Sequence, residues 1–252
     1  MVAVNLENPP GPEGSNGIQD CGCWRGAEWS LSRGNLLGHL ARLKPVRFRL
    51  LFILPDPIVL MNEHDSSSHL LSEDRYKWQD PVRIINELGP LSGYVLDSAC
   101  GPGFFTIELA KAIAGKGSID AVDSDPKAIA ILNERIKTLD LKIQYSVRAR
   151  AADVERMYFP ERSFDLVFIA DSFHDLKDKE GFLIKVSRIL KTDGRVVNID
   201  WRAEPTEIGP PQEIRISDEK CISMFEKHGF KLNSKIYGGE YHYGLVFTKT
   251  GS

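Results

Sequence analysis

Residues 97–106 read DSACGPGFFT, directly after the apolar Tyr94, Val95 and Leu96 and just before the apolar-periodic Ile107–Ala114. A strand-like run thus passes into a helix-like run through Gly101, Pro102 and Gly103. Glycine without a Cβ lets the chain turn sharply and lets a ligand approach the backbone. The helix beginning around Pro102 to Phe104 then presents unpaired amides to an anionic group. Asp97 closes the strand. Asp123 lies 20 residues beyond Gly103 (123 minus 103), at the end of the next strand-like run, where a carboxylate commonly accepts hydrogen bonds from ribose hydroxyls. The pattern describes a pocket for a nucleoside attached to something anionic. A dinucleotide fingerprint would place a third glycine where this chain has Thr106, which disfavours a nicotinamide cofactor.

Strand and helix signals alternate outward from this loop. SEDRYKWQDPVRIINELG, from Ser72, reads as capped helical pieces, with Asp80 before Pro81 as N-cap and N1, and Gly89 as the stop. Strand-like 94–97 leads to helix-like 104–114, and strand-like 118–123 to a helix from Pro126 with Ile129, Leu132, Ile136 and Leu139 at helical spacing. KIQYSVRARAAD reads as a third strand ending at Asp153, and FDLVFIAD as a fourth from Phe164 to Asp171. A helix with Phe182, Val186, Ile189 and Leu190 on one face ends near a turn at Gly194, before the strand RVVNIDW. Cys221, Met224, Phe225 and His228 stripe a last helix closed by Gly229, and KLNSKIYG and YHYGLVFT form a terminal antiparallel pair. This order predicts an α/β fold: a Rossmann-like, doubly wound, mostly parallel seven-stranded sheet with a C-terminal antiparallel strand, binding ligands outside the carboxyl ends of its strands.

Composition narrows the function classes. The 252 residues are 42% hydrophobic and 27% charged, enough apolar content for a substantial core. The formal charge of −3, without a basic run, disfavours nucleic acid, whose affinity comes largely from phosphate neutralisation. The most apolar stretch, Arg49 to Met61, is too short for a membrane span and is broken by Pro55 and Pro57. Cys21, Cys23, Cys100 and Cys221 contain no CxxC pair, so no metal site is expected and a reducing cytoplasm is the default location. Residues 1–60 read as an irregular, dispensable extension, 61–92 as a helical lid segment, and 93–250 as the main domain.

DSACGPGFFTIELA, Asp123 in AVDSD, the Ala152-Asp153 pair in AAD, FDLVFIADSFHDL and RILKTDGRVVNIDW resemble, as an ordered series, the motifs of class I S-adenosylmethionine-dependent methyltransferases. The resemblance covers roughly residues 72–250 and is greatest to the small-molecule, type 11 branch that includes the ubiquinone/menaquinone C-methyltransferases. It implies S-adenosyl-L-methionine as cofactor. Asp97, Ala99, Gly101 and Gly103 would then line its methionine part, Asp123 and Ser124 the ribose, and Ala152, Asp153 and Val154 the adenine, with Ala170 and Asp171 on the sulfonium side. The family's usual PGG turn is TDG here, which is expected to alter only a surface turn.

Several of these residues have plainer readings. Cys100 suits a small space-filler, Asp153 a cap for the following turn, and His228 a helix C-terminal residue facing the dipole. Methyl transfer from a sulfonium needs alignment and dry surroundings, and a general base only where the acceptor must lose a proton. His174 in SFHDL is the candidate base, with Asp171 three residues earlier, although His174 would equally serve to pack the loop. Tyr76, Trp78, Trp201 and Tyr241 are candidate aromatic walls for the acceptor. Arg215 in IRIS is a candidate partner for a carboxylate or phosphate on it. The expected activity is in-line methylation of a small organic molecule by a monomer or homodimer. The alternative is a non-catalytic module that binds the same cofactor.

Overall fold

The computed structural model describes residues 70–250, apart from position 114. The extension 1–60, the apolar Arg49–Met61 run, Cys21, Cys23 and residues 61–69 of the lid segment lie outside the described residues.

Two short helices, α1 (Glu73–Trp78) and α2 (Pro81–Glu87), precede the first strand. Asp80 caps α2 as its sequence indicates, its side chain accepting from Val82 N at 3.0 Å and Arg83 N at 3.1 Å, with Pro81 in the first turn. Then follow β1 (Gly93–Ser98), α3 (Thr106–Ile113), β2 (Gly117–Asp123), α4 (Pro126–Lys137), α5 (Leu141–Gln144) and β3 (Val147–Ala151). The second half holds β4 (Phe164–Ala170), a 3-10 turn at Phe173–Asp175, α6 (Lys179–Ile189), β5 (Leu190–Trp201), a 3-10 turn at Gln212–Ile214, α7 (Asp218–Lys227), β6 (Phe230–Tyr237) and β7 (His242–Lys249).

The seven strands form one sheet in the order β3-β2-β1-β4-β5-β7-β6, with β7 antiparallel to both neighbours, as the sequence predicts. The chain winds outward from β1 to β3, then crosses back to β4, so β1 and β4 flank the switch point where such sheets bind ligands. The central strands are apolar on both faces because helices cover both. On β4, Leu166 and Phe168 pack with Leu109, Ile113 and Leu132 from α3 and α4. Val167 and Ile169 face the other way, toward Phe182 and Val186 of α6 and Phe225 of α7.

Three local expectations are corrected. The helix after the glycine loop starts at Thr106, not at Pro102 to Phe104, because Gly101–Phe105 are taken up by turns. KIQ is not strand: Ile143 N and Gln144 N bond back to Asp140 O, and Gln144 Nε2 donates to the carbonyls of Lys137 and Leu139, so the segment closes a helical turn that finishes α4. The TDG turn is no break before β5. The ladder passes from Phe164↔Leu190 to Leu166↔Arg195, leaving residues 191–194 as a bulge within one strand run.

Candidate active site

The loop after β1 is shaped by backbone that side chains rarely allow. Ala99 (φ 56°), Gly101 (φ 53°) and Gly103 (φ 85°) are left-handed, and for Ala99 that conformation costs about 1–2 kcal/mol, a strain typical of functional turns. The loop is pinned from below and behind. Cys100 N donates to Val122 O at 3.0 Å, Gly101 N to Asp123 Oδ2 at 2.7 Å, and Arg135 Nη1 of α4 to Pro102 O at 2.8 Å. The two glycines serve different ends. A Cβ on Gly103 would lie 2.4 Å from Leu132 Cδ1, so this glycine lets the loop sit down on α4. A Cβ on Gly101 would meet only Leu70, at 3.6 Å, so that face of the backbone is bare and open. Gly103→Ala is expected to cost about 1–2 kcal/mol in urea unfolding through strain and overpacking. An unchanged midpoint would show that the loop does not need this seat.

Asp97 at the end of β1 is buried and accepts Thr106 Oγ1 at 2.6 Å. The residue standing where a dinucleotide fold has its third glycine thus supplies a hydroxyl to the acid on the strand. Burial raises the Asp97 pKa to about 7, the Thr106 hydrogen bond opposing and the Asp123 charge adding. An acid that keeps its proton more tightly when folded favours the native state most at low pH. Its contribution declines as pH rises from the unfolded value of 3.8 to about 7 and is flat above. Asp97→Asn should remove that slope from denaturant unfolding measured between pH 4 and 8; identical slopes in both proteins would refute the assignment.

Beside the loop, a cleft of about 650 Å3 opens over the carboxyl ends of β2 and β3. It gathers Ala99, Asp123, Ser124, Ala152, Asp153 and Val154, all named from sequence. Asp123 is held by Asp125 N, 2.8 Å from its Oδ1, and by Gly101 N. Asp153 lines the cleft and also caps its turn, accepting from Glu155 N at 2.9 Å. Asp97 on β1 and Gly101 and Gly103 on the loop lie outside this lining, and Ala170 lies at the end of β4. Cys100 packs against the core, with burial pushing its thiol pKa up, as suits a space-filler.

A second, smaller cleft of about 320 Å3 lies beyond β4 and β5. Leu70, Trp78, Trp201 and Ile208 form its walls, with Arg75 and His174 among its polar residues. Asp175 lines both clefts, so the two open toward one another there. Trp78 stacks on His242 with ring centroids 5.5 Å apart and planes 7° apart, and Trp201 lies 4.1 Å from the same ring. Of the other expected walls, Tyr241 stacks on Trp201 at 6.4 Å and Tyr76 packs on Phe104 at 4.8 Å, both outside the cleft lining.

The expected role of Arg215 is corrected. Its guanidinium donates to the carbonyls of Pro210, Ile208 and Glu204 at 2.7–3.1 Å and lies 5.3 Å over Trp201. It thereby staples the 204–210 loop behind Trp201, and its donors are already used.

Asp171 and His174 do not pair as their spacing suggests. Asp171, in a left-handed conformation (φ 53°), accepts Arg75 Nη2 at 2.5 Å and Gln79 Nε2 at 3.2 Å, which ties α1 over the end of β4. His242 Nε2 approaches the same carboxylate to 3.3 Å, yet burial lowers the His242 pKa to about 4 and leaves it neutral. His174 instead meets Asp200, at the end of β5. Its Nδ1 lies 2.6 Å from Asp200 Oδ1 and its backbone N–H donates to Asp200 Oδ2 at 3.0 Å. Nε2 is 3.3 Å from Asp175. Burial pulls the His174 pKa down, but the Asp200 hydrogen bond and charge, with Asp175 and Asp171, outweigh it, so the net shift is upward. Sequence reading missed Asp200, Arg75, Gln79 and His242. The one local signal was Asn198 and Asp200 at alternate positions of RVVNIDW, polar residues on a single buried face of an apolar strand.

Comparison with known proteins agrees with this geometry. A family model described as a methyltransferase domain matches residues 95–194. A demethylmenaquinone methyltransferase of Bacillus cytotoxicus is 26% identical over 169 residues, covering 67% of this chain and 69% of the relative. A SAM dependent methyltransferase structure from Aquifex aeolicus matches with a TM-score of 0.66 at 26% identity, covering 73% of this chain and 97% of that one. A type 11 methyltransferase structure from Sulfolobus solfataricus matches with a TM-score of 0.57 at 30% identity, covering 69% and 94%. Among the described residues no helix is long and apolar enough to cross a membrane.

Proposed function

The chain belongs to the class I S-adenosylmethionine-dependent methyltransferases, and we propose that it methylates a small organic molecule held in the cleft that Trp78 and Trp201 line. The observation that carries this reading is Asp175, shared by the cofactor-sized cleft and the aromatic one, which brings two binding spaces to a common border. The larger cleft lies within the size range of small-molecule sites, roughly 300–1,000 Å3. The bare backbone at Gly101 leaves room for a ligand chain to approach, so the residues present suit S-adenosylmethionine.

In this reading Asp97, Ala99, Gly101 and Gly103 hold the methionyl end, Asp123 and Ser124 the ribose, and Ala152, Asp153 and Val154 the adenine, with the Ala170 backbone near the sulfonium. An ammonium beside Asp97 would offset its burial and draw its pKa down. When bound, the cofactor supplies an electrophilic methyl group. The protein's part is to orient the acceptor and exclude water. Trp78 and Trp201 supply flat apolar walls, Tyr241 braces them from outside the cleft, Tyr76 packs on Phe104, and α1, within the 61–92 segment, roofs the site through Arg75. The Bacillus relative's named substrate, a quinone precursor, supports a small acceptor. A net charge of −3 supports the same choice over nucleic acid. A cytoplasmic monomer or homodimer with a dispensable 1–60 extension completes the proposal.

Calorimetric titration with S-adenosylmethionine, S-adenosylhomocysteine and NAD, followed by methyl-label transfer into metabolite extracts, tests it. Binding of both adenosyl ligands and labelling of a small molecule is the expected result. Binding without labelling would leave a cofactor-binding module, and a preference for NAD would refute the cofactor.

A further inference from the structure

We propose that Asp200 is the positioning residue that makes His174 a general base, and that the acceptor is a neutral molecule carrying one dissociable proton. The proposal rests on the methyl-transfer reading above. Asp200 accepts two backbone N–H groups, from His174 at 3.0 Å and Trp201 at 2.9 Å, and its Oδ1 lies 2.6 Å from His174 Nδ1. A carboxylate so surrounded by donors acts as an acceptor, so the imidazole proton resides on Nδ1 and the lone pair on Nε2. Nε2 points to the side of Asp175, the residue common to both clefts, while His174 itself lines the acceptor cleft. The base therefore stands at the border where a methyl donor and an acceptor would meet.

The charges around the cleft restrict the acceptor. The one guanidinium in its lining, Arg75, is used by Asp171, Gln79 and Leu70 O, and Arg215 behind Trp201 is used by the carbonyls of its own loop. The carboxylates of Asp200, Asp175 and Asp171 face His174 from β5, from its own turn and from the end of β4. An anionic acceptor would meet these acids with no free side-chain cation among the residues lining this cleft to offset them. A neutral acceptor lying against Trp78 and Trp201 in this cleft incurs no such penalty.

In the step, the acceptor's O–H or N–H proton passes to His174 Nε2, and the electron pair of that bond stays on the acceptor. That atom, or a ring carbon conjugated with it, forms the bond to the methyl carbon as the S–CH3 bond breaks, with its electron pair going to sulfur. The cofactor's positive charge is thereby discharged and reappears on the imidazolium, which Asp200 stabilises. Attack through a ring carbon is followed by loss of that carbon's proton to water.

The test uses the full chain with methyl-labelled S-adenosylmethionine and two probes of one shape, 2-naphthol and its anionic counterpart 2-naphthoate. Label is expected in the naphthol and at least tenfold less in the naphthoate. Asp200→Asn should lower kcat about 100-fold, leave cofactor affinity within twofold, and move the rising limb of the kcat–pH profile to lower pH, since His174 loses the charge that raises it. Nitrogen NMR of the His174 ring in the unmodified protein provides a readout independent of the variant's folding, with the proton expected on Nδ1. A proton on Nε2, an unmoved pH profile, preferential labelling of the naphthoate, or cofactor binding with no transfer to either probe would each overturn the proposal. Failure to bind S-adenosylmethionine at all would instead defeat the reading on which it rests.

Discussion

Asp123→Ala is expected to weaken S-adenosylmethionine and S-adenosylhomocysteine binding about 30- to 150-fold while leaving the fold intact. A carboxylate at the end of β2 can accept both ribose hydroxyls, and hydrogen bonds to a charged group contribute about 1.5–3 kcal/mol each, of which part is recovered by water. Asp123 has a second effect in the same direction. Its oxygens hold Gly101 N at 2.7 Å and Asp125 N at 2.8 Å, so the carboxylate also fixes the glycine loop against the neck of α4. Removing it is expected to loosen the surface proposed to hold the methionyl end. Asp123→Asn separates the two effects, because its carbonyl oxygen retains one acceptor for the loop. Calorimetry should rank the affinities wild type, then Asn, then Ala, with thermal midpoints within a few degrees. Equal affinities for wild type and Ala would remove Asp123 from the cofactor site.

Arg75→Met is expected to be among the most destabilising single changes in α1 and α2, about 3 kcal/mol at neutral pH, or a fall in Tm of about 6–12 °C. The guanidinium joins Asp171 at 2.5 Å, Gln79 Oε1 at 3.0 Å and Leu70 O at 2.8 Å, and it lies 3.9 Å over the Phe104 ring. Its loss leaves the mostly buried Asp171 charge facing Gln79 and a neutral His242. The pH dependence identifies the cause. In the native protein burial, with Arg75 contributing, holds His242 at about 4, below its ordinary value of 6.5. A depressed histidine pKa means that the unfolded state binds the proton more readily between those values. Stability from His242 is therefore present above 6.5 and is lost as pH falls toward 4. Without Arg75 the histidine regains its proton more easily and can pair with Asp171. The penalty of the substitution should then be smaller at pH 5 than at pH 8, and Arg75→Met with Asp171→Asn should recover most of it. A penalty under about 1 kcal/mol, or one that the second change does not relieve, would show that the ion pair does not hold α1 to the end of β4.

The Arg75–Asp171 ion pair and the His174–Asp200 contact give the two charged residues singled out around strand four other partners than their spacing suggests. Spacing along the chain put Asp171 beside His174, but the left-handed backbone at Asp171 directs its carboxylate to α1, and the pleat of β5 brings Asp200 under His174 instead. Arg215 shows the same limit. Its position near a cleft was foreseeable, but not that the carbonyls of Glu204, Ile208 and Pro210 occupy its donors. Within short segments the sequence was a better guide. Asp80 and Pro81 start α2, the closing strands pair antiparallel, and the cofactor-cleft residues Ala99, Asp123, Ser124, Ala152, Asp153 and Val154 converge.

What the sequence determined by itself was therefore the order of strands and helices, the glycine turn and the acids at the strand ends. Those features depend on periodicity, capping and backbone freedom within about ten residues, and each leaves a local mark. Only the tertiary structure decided which charges meet. Arg75 reaches Asp171 across 96 positions and His174 reaches Asp200 across 26. Such pairs are selected by which strands become neighbours and which side chains lose their water together, and neither condition exists until the sheet has assembled.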